Sequence, residues 1–195
     1  MPAADHRPGP ERAGNLLGAL ALVVGDRMTG AIAEAAGRSA SSAAALSALH
    51  QFLDGPTVDR LRRVLGLTSS GTVRLVDRLV DAGYAERGQG GDKRSTAVRL
   101  TDDGRAAAAR VTAARGDVME QALSVLTPAE RDQFDGLLAK VLVGLMRGPG
   151  AERWMCRLCD MRACGRDQGT CPVLEENRRR YPHLAAGRGD AADAT

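Results

Sequence analysis

Apolar residues recur at helical spacing along most of the chain, and the period changes only once. From Gly14 to about Gly37, the run NLLGALALVVGDRMTGAIAEAAG sets Leu16, Leu20, Val23 or Val24, and Met28 roughly on one side. That spacing predicts a helix, though its glycines weaken it. A second helix is predicted over SSAAALSALHQFLDG, with Ser41 or Ser42 as N-cap and Leu46, Leu49 and Leu53 on one face. Gly55-Pro56 ends it. TVDRLRRVLGL reads as a third helix, capped by Thr57, with Val58, Leu61, Val64 and Leu65 as its apolar stripe. After Gly66-Leu67-Thr68 comes a fourth, SSGTVRLVDRLVDAG, capped by Thr68 and ended by Gly83. Its Val73, Val76 and Val80, with Leu75 and Leu79, are expected to face inward. Two short helices joined by a three-residue turn have the layout of a helix-turn-helix.

The period then shifts. Tyr84-Ala85-Glu86-Arg87 can form a short strand, residues 88–94 form a Gly-rich basic loop, and STAVRL (95–100) alternates like a second strand. A hairpin with a long tip after a helix-turn-helix predicts a winged helix. Thr101-Asp102-Asp103 restarts helix, with Thr101 as N-cap and acids in the first turn, running to about Leu126. Thr127-Pro128 opens a last long helix to about Arg147. Gly148-Pro149-Gly150 is a hinge. The expected fold class is mainly α, a winged helix-turn-helix with a small β-hairpin wing, flanked by long helices and followed by a cysteine loop.

Composition narrows this further. The chain has 195 residues, 44% of them hydrophobic but only 3% aromatic, so its core must be built from Ala, Leu and Val. That favours close-packed helices over a sandwich. Residues 1–13 are expected to be a disordered arm and residues 184–195 a disordered tail. Net charge is only +3, yet between Thr57 and Leu100 nine basic residues face five acidic ones, where a nucleic-acid surface is expected. No apolar run is read as a membrane span and no signal peptide is read at the start, so the expected location is cytoplasmic, with no membrane partner. His6, His50 and His183 are far apart, and no catalytic constellation stands out, so an enzyme is not expected. His50 reads as a packing or surface residue and His183 as a spare metal ligand at most.

The stretch GLTSSGTVRLVDRLVDAGYAERGQGGDKRSTAVRLTDDGR resembles the winged helix-turn-helix of MarR-family transcriptional regulators. The matching pieces are the Ser/Thr-rich helix start, the TVRLVDRLVDAG recognition helix, the acid-x-Arg wing tip and LTDDGR. The resemblance covers residues 14–147 and is most specific over 67–105. It implies a homodimeric DNA-binding regulator, a repressor acting at a near-palindromic double-stranded operator. It assigns DNA reading to residues 57–100 and dimerisation to residues 14–37 and 102–147. It also implies that the hydroxyls of Ser69, Ser70 and Thr72 reach phosphates or base edges, and that Arg74 contacts DNA. For Arg78, DNA contact and an ion pair with Asp77 or Asp81 both stay open. In the wing, Lys93 and Arg94 would approach the minor groove, with Arg94 as the finger, while Asp92 fixes the tip. An interaction or adaptor module that does not bind DNA is the alternative of another class.

The chain departs from that family after residue 150. All four cysteines, Cys156, Cys159, Cys164 and Cys171, fall in CRLCDMRACGRDQGTCP, with spacing C-x2-C-x4-C-x6-C followed by Pro172. The segment 151–183 is therefore expected to bind a metal or cluster. Two disulfides would need an oxidising compartment. Zinc suits four thiolates, although the second pair is not a matching C-x2-C knuckle. An iron–sulfur cluster is favoured: Pro directly after the last cysteine recurs in ferredoxin-type motifs. The segment also resembles the C-terminal cluster loop of redox-sensing MerR-type activators. Arg153, Arg157, Arg162 and Arg166 would offset an anionic cluster. Trp154 is expected to anchor the loop on the preceding helix. Phenol-sensing MarR members use a crevice beside the winged helix, for which this chain is poor in aromatics. A redox signal at the cysteines is therefore favoured over a small-molecule one.

Overall fold

The computed structural model describes residues 9–36, 39–90 and 96–185. Helix α1 spans Pro10–Ala36, with proline in its first turn and Glu11 beside it. A proline costs nothing there, because that amide would lack a helical partner anyway. Residues 10–13, expected in a disordered arm, are therefore helical; residues 1–8 of that arm lie outside the described residues.

Helix α2 spans Ala40–Gln51 and is capped by Ser39, whose hydroxyl accepts the amide of Ser42 at 3.4 Å. This corrects the expected cap at Ser41 or Ser42: Ser42 is buried and its hydroxyl pairs with that of Ser39. Every residue from Ser42 to Leu49 is buried. The helix is wrapped on all sides, so the single-faced stripe of Leu46, Leu49 and Leu53 is also corrected. Its alanines and serines let neighbouring helices approach closely.

Helix α3 (Val58–Leu65) and helix α4 (Ser69–Asp81) form the helix-turn-helix, capped by Thr57 and Thr68 as expected. Gly66 closes α3 in the left-handed region at φ 65°, a conformation that favours glycine. Strands β1 (Ala85–Gln89) and β2 (Thr96–Leu100) pair antiparallel, with Ala85 opposite Leu100 and Gln89 opposite Thr96. The segment before α3 joins them: Thr57 bridges Ala97, and the Val98 amide donates to the Pro56 carbonyl at 3.0 Å.

Helix α5 runs Asp102–Leu123 from the Thr101 cap. Helix α6 runs Pro128–Gly144 from a capping box, in which the Thr127 hydroxyl accepts the Glu130 amide while the Glu130 carboxylate accepts the Thr127 amide. Gly104 sits where the wing meets α5, and a Cβ there would collide with the Tyr84 carbonyl. The cysteine segment holds more helix than expected: α7 (Ala151–Met155), a 3-10 turn (Arg166–Gln168), α8 (Pro172–Arg180) and α9 (Pro182–Ala185). Residues 184 and 185, assigned to the tail, are thus helical, and residues 186–195 lie outside the described residues.

The main core joins α2, α3, α4, the wing and the start of α5, with Leu46, Leu61, Leu75, Val76, Leu79 and Val98 fully enclosed. Ile32, Ala43 and Val111 make a second cluster that takes in Leu158 of the cysteine segment. Met146, Cys156, Cys171 and Val173 make a third. Beyond these, α1 exposes Leu16, Leu17, Leu20, Leu22 and Val23, and α6 exposes Leu137, Val141 and Leu142 and has no buried residue. One sequence expectation changes here: by length and composition, residues 11–35 of α1 are long and apolar enough to cross a membrane.

Candidate functional site

Helix α4 divides its residues by position, not by type. Thr72, Leu75, Val76 and Leu79 are buried, spaced three and four apart on one stripe. Ser69, Ser70, Val73, Arg74 and Arg78 are exposed. Two expectations are thereby corrected. Thr72 is 0% exposed and its hydroxyl donates to the Thr68 carbonyl at 2.9 Å, so it cannot present that hydroxyl to a ligand. Val73, expected inward, is 45% exposed and lies between Ser70 and Arg74 on the outer face. The Thr68 hydroxyl accepts the Gly71 amide at 3.1 Å, which leaves the hydroxyls of Ser69 and Ser70 without a capping duty.

The arginines sort themselves by partner. Arg62 and Arg63 pair with Asp59 at 2.8 and 3.1 Å. Arg87 of β1 pairs with Asp77 of α4 at 2.6 Å, which ties the hairpin to α4. Arg99 lies against Gly55 and Gly88 and donates to the Gln89 carbonyl. Arg105 donates to the Leu100 carbonyl and pairs with Asp102. Arg74 and Arg78 have no hydrogen bond or ion pair among the described residues. Of the two partners expected for Arg78, Asp77 is taken by Arg87, and Asp81 makes no ion pair with it among the described residues. Asp92, Lys93 and Arg94 lie outside the described residues.

The four cysteines gather where the end of α6 meets α7 and α8. All are free thiols; Cys156 and Cys171 are buried, and Cys159 and Cys164 pack against them. The Cys159 amide donates to the Cys156 carbonyl at 2.9 Å, closing the C-x2-C turn. Cys171 immediately precedes α8, with Pro172 in its first turn. The proline after the last cysteine thus starts a helix, a role that spacing alone did not reveal.

The sulfurs differ in acidity. Cys171 is pulled down to about 5 by the neighbouring Cys156 thiol, then by the amides of Leu174 and Val173 at the start of α8, and by Arg166. Cys159 is lowered to about 7 by the Cys156 thiol, with help from Arg115 and Arg166. Cys156 is pushed up by its neighbours Cys159 and Cys171, and burial raises Cys164. Arg115 of α5 was not among the expected cations; a residue so far upstream of Cys159 gives no local signal. Arg157 instead holds Trp154, its guanidinium 5.1 Å from the indole centroid. His183 packs edge-on against Tyr181, with ring centroids 6.4 Å apart.

The donor set fits a thiolate-bound ion or cluster in kind: four sulfurs in one apolar cluster, two biased toward thiolate, with two guanidinium groups nearby. Among the described residues, no group of three or more His, Cys, Asp and Glu side chains is arranged as a ready ligand set. The thiols meet instead as packed neighbours, and the Cys164 thiol donates to the Met161 carbonyl at 3.5 Å.

Residues 36–95 match the model of the MarR family. Over that stretch the winged helix-turn-helix of this chain is similar to that of the MarR family. Solved structures agree. The apo form of MarR from E. coli is 28% identical, with TM-score 0.53, over 65% of this chain and 96% of that one. YusO from Bacillus subtilis is 24% identical, with TM-score 0.59, over 67% and 92%. MepR, a transcription regulator of the Staphylococcus aureus multidrug efflux pump MepA, is 18% identical, with TM-score 0.60, over 68% and 97%. The last two show the fold alone. No curated protein sequence matches the chain. The family match ends before the cysteine segment.

Proposed function

We propose that this chain is a homodimeric, sequence-specific DNA-binding transcriptional repressor of the cytoplasm. In this reading Cys156, Cys159, Cys164 and Cys171 hold an iron–sulfur cluster whose state modulates DNA binding. The observation that carries the DNA reading is the outer face of α4. It presents Arg74 and Arg78 unpaired among the described residues, beside neighbours whose arginines are mostly engaged, on a helix of the kind that enters a major groove. Ser69 and Ser70 stand at its start, within reach of phosphate or base edges. Val73 adds an apolar contact of the kind a thymine methyl accepts.

A second copy is the partner that α1 and α6 call for. Their exposed leucines and valines form faces too apolar for a solvated surface. Asp26 and Arg27 sit mid-way along α1, and its C-terminal half already packs on α5 through Ile32 and Val111. A helix paired with protein on one side and carrying charges in its middle suits a dimer interface better than a bilayer.

At the cysteines, a bound cluster would supply redox chemistry. The chain's own contribution is to hold thiolates: Cys171 at the start of α8, Cys159 near Arg115 and Arg166. The second reading is structural zinc with a small-molecule signal elsewhere. It is favoured by the closed Cys156–Cys159 turn, and by a crevice of about 480 Å³ lined by His50, Asp54, Glu86, Arg99 and Arg105. That lining suits a charged ligand rather than a phenol.

The decisive experiment is selection of a duplex from a random pool by the purified protein, followed by affinity measurements across salt concentrations. Arg74→Ala should weaken binding about 10- to 100-fold and reduce the salt slope by about one. Equal affinity for Arg74→Ala and wild type would favour the adaptor reading. Iron, sulfide and zinc content of anaerobically purified protein separates cluster from zinc.

A further inference from the structure

The cysteine segment is fastened to the rest of the molecule at several places, and one of them is the turn of the helix-turn-helix. Helix α7 packs against α3. A Cβ built on Gly66 would stand 3.7 Å from Nε1 of Trp154 and 3.9 Å from Cδ1. The indole therefore lies over the backbone of the residue that ends α3 and sets the angle of α4. This corrects the expectation that Trp154 anchors its loop on the preceding helix. The remaining fastenings are on other elements. The Met161 amide donates to Oε1 of Gln51 at 3.2 Å, Arg166 stacks 5.9 Å from the centroid of Phe52, and Leu158 enters the Ile32–Ala43–Val111 cluster.

We propose that Trp154 is a positioning residue for DNA reading: seated on the α3–α4 turn, it passes the state of the four cysteines to the recognition helix. The proposal rests on the reading of the chain as a DNA-binding regulator whose cysteines hold a group. Two features argue for it. First, the indole and the first sulfur belong to one short stretch. Cys156 is buried against Met146, Cys171 and Val173, two residues beyond Trp154. Arg157 locks the indole from the other side, donating to the Trp154 carbonyl at 2.8 Å while its guanidinium covers the ring. A rearrangement of Cys156 therefore acts on the same short turn that carries the indole. Second, the seat is shallow. Trp154 is 53% exposed, so lifting it uncovers little apolar surface, whereas the contacts on α2 keep the segment attached. A shallow contact on a turn, flanked by firm ones, can have two settings.

The test is a double-mutant cycle on the full chain: wild type, Cys171→Ser, Trp154→Ala and the pair, each titrated with the selected duplex. Cys171→Ser should change affinity by about fivefold or more in the wild-type background. With Trp154→Ala the same substitution should change it by less than about twofold. Trp154→Phe, which keeps a ring on Gly66, should restore the response. Trp154 is the only tryptophan, so its emission reads the seat without DNA. Acrylamide quenching should rise in Cys171→Ser. If Trp154→Ala fails to fold, Arg157→Ala replaces it with the same expectation. An equal response to Cys171→Ser with and without the indole, or unchanged quenching, overturns the seat while leaving the regulator reading intact. Absence of duplex binding by every variant would instead remove the regulator reading, and the seat with it.

Discussion

The winged helix and the cysteine segment are built on different terms. In the winged helix, six large side chains from α2, α3, α4 and β2 are fully enclosed, and three threonine hydroxyls cap its helices. In the cysteine segment the buried set is Met146, Cys156, Cys171 and Val173, two of them thiols. Segments of that size rarely supply enough apolar burial to order themselves, and metal or disulfide staples make up the difference. The first region is thus held by packing. The second has little packing of its own and leans on its seats on the first.

Equivalent truncations in the two regions would break this comparison if it is wrong. Leu79→Ala, in the main core, should lower global stability by about 2–5 kcal/mol in denaturant unfolding. DNA binding should fail with the fold. Val173→Ala removes two buried methyls, about 1.6 kcal/mol of burial at most. Its effect should show as faster proteolysis after Gly148, with the winged-helix transition unmoved. A Val173→Ala protein whose global transition shifts as far as that of Leu79→Ala would mean one cooperative unit.

The smallest effect sharpens the boundary at α6. Hydrogen bonds from the Thr127 amide, and then its hydroxyl, hold the Glu130 carboxyl below its ordinary value of 4.5. A depressed folded-state value means that the capping contribution is present above the ordinary value and is lost as pH falls through the lower one. Glu130→Gln should therefore lower helix content slightly at neutral pH. The difference from wild type should vanish in acid, as circular dichroism across pH would show.

Much of the winged helix was legible because its signals are local. Thr57, Thr68, Thr101 and Thr127 announce their helices, and the Gly66–Thr68 turn announces the motif. Misreadings came where residue type was taken for position. Thr72 and Val73 exchange their expected places because a stripe with members three and four apart passes through 72, 75, 76 and 79, whatever those residues are. At α2, adjacent serines hid the cap at Ser39, and burial on every side left no single face to find. Helix α8 was missed because VLEENRRR has only two apolar residues, and its start is marked by a proline read as a cluster signature. The role of Arg115 and the seat of Trp154 are contacts between distant segments, which no local pattern encodes.

The joint at Gly104 has a mechanical consequence. A side chain there has no room against the Tyr84 carbonyl, and the Thr101 hydroxyl and amide are both bonded back to the 83–84 corner. Helix α5 therefore meets the wing with no slack. Helix α5, with 22 residues, is about 33 Å long. Tilting it by about 5° sweeps its far end through about 3 Å, by the same rise per residue. A lever without play works in both directions: whatever seizes the far end of α5 sets the pitch of the wing, and a wing held fast keeps α5 still.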